Sequence, residues 1–75
     1  TKVKVLLDSI EKIKEFIDIL DTFDCFCEIS DGEFVIDAKS IIGVFSLEFQ
    51  SPLDLIIKSD DCGGLLDKID KFIVR

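Results

Sequence analysis

Few residue types in this chain can carry covalent chemistry. The candidate nucleophiles are the thiols of Cys25, Cys27 and Cys62 and hydroxyls such as Ser9, Ser40 and Ser46, and there is no histidine to activate any of them. That absence removes the Cys–His and Ser–His pairings of nucleophilic catalysis and the familiar zinc patterns built on histidine. No glycine-rich phosphate loop or metal cluster is visible either, so an enzyme reading has little support. Three cysteines, with Cys25 and Cys27 two apart, do not form a disulfide framework. In a strand their side chains face one way, and the expectation is of buried thiols acting as small hydrophobes. With no apolar run long enough to span a bilayer and no secretory leader in view, that reading predicts a reduced, cytoplasmic setting.

Charge narrows the partners. Sixteen acidic residues against nine basic ones give a net charge of −7. Such a surface repels nucleic acid phosphates and anionic lipid headgroups, which leaves proteins as the expected partners. The chain is 48% hydrophobic and 33% charged over 75 residues. A chain of this size buries only about 60% of its unfolded surface, so residues 1–75 are expected to form one domain around one core.

The elements that must position these residues follow from periodicity. Lys2 to Leu7 alternates, with Val3, Val5 and Leu7 on one face of a strand. Asp8 or Ser9 can cap the next element, because either side-chain oxygen can accept from the open amides of a helix start. Ile10, Ile13, Phe16, Ile17, Leu20 and Phe23 then recur at spacings of three and four, the stripe of an amphipathic helix over 10–23. Cys25 to Ser30 and Glu33 to Ala38 alternate again around Asp31-Gly32, which predicts a tight primed-turn hairpin. Its expected inward set is Cys25, Cys27, Ile29, Phe34, Ile36 and Ala38. Propensity leaves Ser40 to Leu47 open between strand and helix. Pro52 introduces a strand over 53–58 with Leu53, Leu55 and Ile57 on one face. After Asp60 and Asp61, either of which could cap it, a closing helix is expected with Leu65, Leu66, Ile69, Phe72 and Ile73 as its stripe. One-sided helices and strands are accommodated by helices on one face of a four-stranded sheet, an α+β arrangement. The opposite face would carry Leu6, Phe26, Val35 and Ile56, an apolar patch that would suit a homodimer contact.

Lys39-Ser40-Ile41-Ile42-Gly43-Val44-Phe45-Ser46-Leu47 resembles the Lys-Ser-Ile-Met-Gly-Val-Met-Ser-Leu type segment of HPr, the phosphocarrier of the bacterial sugar phosphotransferase system. Phe23-Asp24 and Asp31-Gly32 are similar to that family's Tyr-Asp and Asn-Gly, and the element order is the family's own. The resemblance implies a βαββαβα open-faced β-sandwich with sheet order 1-4-2-3, and a short helix from Ser40 to about Leu47. It also implies a role in sugar transport. In that family a histidine within Gly-Ile-His-Ala-Arg-Pro carries the phosphoryl group. Here the corresponding place reads Asp8-Ser9-Ile10-Glu11-Lys12-Ile13-Lys14, and the only arginine and proline are Arg75 and Pro52. The phosphocarrier step is therefore expected to be lost. Ser40 falls on the serine that a dedicated ATP-dependent kinase modifies in many Gram-positive HPr proteins, although a serine there also serves as an ordinary helix cap. The implied docking set is Lys39, Ile41, Ile42, Val44, Phe45 and Ser46, with the HPr serine kinase or a catabolite regulator as partner; some of the apolar members must instead be core. No cofactor is implied.

Overall fold

The computed structural model describes residues 1–75 apart from Glu48, Phe49, Asp60, Asp61, Arg75 and the side chain of Ile41. The elements run β1 (Lys2–Val5), α1 (Ile10–Asp21), β2 (Cys27–Ser30), β3 (Val35–Asp37), α2 (Ile41–Phe45), β4 (Leu53–Ile57) and α3 (Leu65–Lys68), followed by a 3-10 turn at Asp70–Phe72. The four strands form one antiparallel sheet in the order β1-β4-β2-β3, as expected.

Alternation in the strands decides the core. Val5, Leu53, Leu55, Ile57, Cys27 and Ile29 face inward and are buried, and the α1 stripe of Ile13, Phe16, Ile17 and Leu20 closes over them. Ser9 caps α1 with its Oγ accepting from Lys12 N–H, which satisfies one of the helix's free donors. Leu65, Ile69 and Phe72 complete the core from the C-terminal side, where the Phe72 ring meets Phe16 edge-on at 5.5 Å between centroids.

Three expectations need correction. The hairpin is not a two-residue turn: Ser30 pairs with Val35, so residues 31–34 form the loop. Asp31 Oδ1 accepts from the amides of both Glu33 and Phe34, and Gly32 supplies the one left-handed residue at φ +101°. Phe34 is held in this turn and points to solvent, not into the core. The closing helix is a single turn followed by a 3-10 turn; Gly64 at φ +88° stands at its N-cap and makes no side-chain cap hydrogen bond. Leu66 is exposed, and Ile73 leaves helical geometry to bridge Val5 on the edge of β1. The proposed caps Asp60 and Asp61 lie outside the described residues.

The sheet's outer face is not a continuous apolar patch. Strand register lines up Lys2, Ile56, Glu28 and Asp37 in one row and Lys4, Asp54, Ser30 and Val35 in the next. Ion pairs cross it: Asp54 takes Lys4 at 3.0 Å and Lys2 at 3.7 Å, and Glu28 takes Lys58 at 3.3 Å. Of the expected apolar set, Phe26 and Val35 are exposed while Leu6 and Ile56 are half-buried. Charged residues interrupt the surface between them because the outward positions of β1, β4 and β2 are mostly polar.

Candidate functional site

The candidate site is built around α2. Ile41–Phe45 form a helix because Ser40 interrupts the chain with extended backbone and its Oγ accepts from Gly43 N–H at 3.2 Å. Ser46 closes the other end, its hydroxyl donating to the Gly43 carbonyl. A helical period then separates the apolar residues. Val44 and Leu47 turn into the core, while Ile42 stands 80% exposed and Phe45 38% exposed. Gly43 allows the helix to lie close on β3: a Cβ at that position would sit 2.8 Å from the Ile36 Cδ1 methyl.

Of the expected docking set, Ile42, Phe45 and Ser46 are at the surface with Ser40. Val44 is removed from that set, since it is fully buried and belongs to the core. The side chain of Ile41 lies outside the described residues. Lys39 is half-buried, and its ammonium donates to the Phe23 carbonyl at 2.9 Å instead of standing free beside Ser40.

The entry to α1, where an HPr phosphocarrier site would fall, holds Asp8, Ser9, Glu11 and Lys12. Asp8 and Lys12 form an ion pair at 2.9 Å, and that contact holds the Asp8 carboxyl below the ordinary carboxylate value. Ser9 Oγ accepts from Lys12 N–H as the α1 cap. This arrangement offers no ring nitrogen that could accept a phosphoryl group and release it again. Among the described residues, no three potential metal ligands converge.

The cysteines depart from expectation. Cys25 and Cys62 are joined in a disulfide, with Cα atoms 6.1 Å apart, and only Cys27 is a free, buried thiol. Folding brings the segment leading into β2 against the loop after β4, a proximity with no local sequence signal. The pairing removes the thiol argument for a reduced compartment. Burial pushes the Cys27 thiol up from its ordinary value, with the Lys39 charge opposing that shift, so this sulfur is a poor nucleophile. No described helix is long and apolar enough to cross a membrane.

No protein-family model matches the chain, and no curated protein matches it. Among solved structures, it is similar to HPr-C-His from Thermoanaerobacter tengcongensis. The match has a TM-score of 0.79 at 17% identity and covers 95% of this chain and 88% of that one. The strand order, the three helices and this match agree on one architecture: the chain has an HPr-like α+β fold.

Proposed function

We propose that this chain is an HPr-like regulatory protein related to the bacterial sugar phosphotransferase system, acting by docking on a protein partner and not by carrying phosphate on histidine. The observation that carries this reading is Ser40, an exposed hydroxyl at the start of α2 with exposed Ile42 and Phe45 on the same short helix. In a kinase reaction the Ser40 oxygen would attack the γ-phosphorus of ATP, its proton would pass to the kinase's base, and ADP would leave. The product adds nearly two negative charges beside the first amides of α2, including the Gly43 N–H that Ser40 already engages. Lys39 places a positive charge next in sequence to that phosphate, with its ammonium donating to the Phe23 carbonyl. The chain works in this reading as a single, non-enzymatic domain, with an HPr serine kinase or a catabolite regulator as its partner. Homo-oligomerisation through the outer sheet face has less support, because charged residues interrupt that face.

The experiment is intact mass after two parallel incubations, one with phosphoenolpyruvate and Enzyme I, the other with ATP and the HPr serine kinase. One phosphoryl group gained only with the kinase, and lost in Ser40→Ala, is the expected result. A gain with Enzyme I would overturn the reading.

A further inference from the structure

The two edges of the sheet are treated differently. The β1 edge is covered by the chain's own C-terminal segment, with Leu6 N–H donating to the Phe72 carbonyl, Val74 N–H donating to the Lys4 carbonyl, and Ile73 bridged to Val5. The β3 edge has no strand partner beyond β2 among the described residues. Ala38 N–H donates to the Cys27 carbonyl, which sets the phase of the ladder. In that phase 29–36 is a hydrogen-bonded pair while 28–37 and 30–35 are not, so the N–H and C=O of Val35 and the N–H of Asp37 point away from the sheet. The Asp37 carbonyl already accepts from Ser40 N–H.

The side chains around this edge are specific in kind. Val35 is 57% exposed, and neighbouring Phe34 is 61% exposed. Asp37, two positions along, shares the Val35 face of the strand. Acidic residues surround the edge: Asp24, Glu28, Asp31, Glu33 and Asp37 fall in one segment with Lys39 as its sole base. Lys39 is committed to the Phe23 carbonyl, and none of the ion pairs among the described residues includes Asp24, Glu33 or Asp37.

We infer that the β3 edge is a strand-addition site for an extended basic segment of a partner protein, one that places an apolar residue opposite Val35 and a lysine or arginine opposite Asp37. Main-chain hydrogen bonds to Val35 and Asp37 supply the pairing, and an apolar and a basic side chain two positions apart on the partner's facing side supply the choice of partner. A second copy of this chain is the poorer occupant, since it brings its own charge of −7 to an already acidic edge. This surface is separate from Ser40 and stands whether or not that serine is modified.

The test is a titration of the isotope-labelled full chain at low salt with the end-blocked hexapeptide Lys-Thr-Val-Thr-Lys-Thr, which carries a lysine two positions to either side of its valine and so on the same strand face, read by amide chemical shifts. The expected shifts centre on Val35 and Asp37. Val35→Pro removes an outward N–H and keeps an apolar side chain, and the expected loss of affinity is about fivefold. Asp37→Lys is expected to weaken binding by about the same factor, with the effect fading as salt rises. A peptide N-methylated at alternate residues, which leaves the protein untouched, should fail to bind. Four results would overturn the inference: shifts centred elsewhere, no saturation at millimolar peptide, equal binding of the N-methylated peptide, or a dimer on gel filtration that Val35→Pro abolishes. The last would assign the edge to a second copy.

Discussion

Cys25 and Cys62 are bonded across a sequence separation of 37, and the loop they close contains β2, β3, α2 and β4. The bond therefore ties the sheet's centre to the start of a C-terminal helix only one turn long. A crosslink of this span restricts the unfolded chain by an amount equivalent to about 4 kcal/mol in the loop-entropy model. Reduction is expected to lower the unfolding free energy measured by urea titration by an amount of that order, and Cys25→Ser with Cys62→Ser should reproduce the reduced curve. Coincident curves for oxidised and reduced protein would show that the bond contributes nothing. Cys27 should resist a thiol reagent until the chain unfolds, because it is buried.

The Phe16–Phe72 contact also links the C-terminal segment to the rest of the core. The rings meet at 5.5 Å with an interplanar angle of 88°, and both are buried. Phe72→Ala removes the ring and leaves a cavity under α1, at an expected cost of about 3–5 kcal/mol. Domains of this size have a total stability of roughly 4–11 kcal/mol. The variant is therefore expected to be partly unfolded when reduced and recoverable when oxidised, a difference that thermal melts in the two redox states would resolve.

How much of this was legible in the sequence depended on whether the deciding interaction was local. The stripe Ile13, Phe16, Ile17 and Leu20 identified α1 and its buried side, because a 3.6-residue period states which residues share a face. It does not state how far the covering layer extends, and Ile10, on the same stripe, stands 53% exposed. Asp31-Gly32 marked the hairpin correctly, while the loop length was set by Asp31 accepting two amides, which lengthened the turn and displaced Phe34. Residues 41–45 were undecidable from propensity; the Ser40 cap and the burial of Val44 against the core settle them as a helix. The Cys25–Cys62 bond was not legible, since nothing near either residue reports a contact 37 positions away. Docking surface and core could not be separated within α2 until the direction of each side chain was known.

Asp54 gives the fold a sensitivity to acid. Its interaction with Lys4, assisted by the charge of Lys2, holds its carboxyl below the ordinary value of 3.8. A carboxylate whose value falls on folding stabilises the native state fully above its unfolded value, and that contribution disappears as pH drops through the lowered one. Asp54→Asn should therefore narrow the stability difference between neutral pH and pH about 3, with little change in the pH dependence above pH 6. High salt should reduce the wild-type difference as well. An unchanged acid limb in the variant would remove Asp54 from this role.

Ile42 and Val44 separate docking from folding within a single helix. Ile42 is 80% exposed, and replacing it with serine removes apolar surface from solvent, so stability should stay within about 0.5 kcal/mol of wild type. Val44 is fully buried, and Val44→Ala should cost about 1–3 kcal/mol through lost burial and an unfilled space beneath α2. Chemical denaturation of the two variants checks both values. If α2 docks a partner, Ile42→Ser should weaken that complex while the fold holds. Val44→Ala should leave affinity nearly unchanged under conditions where it remains folded. The reverse pattern, with Ile42 destabilising and Val44 neutral, would mean that α2 is rotated about its axis and that the exposed face described for this site is the wrong one.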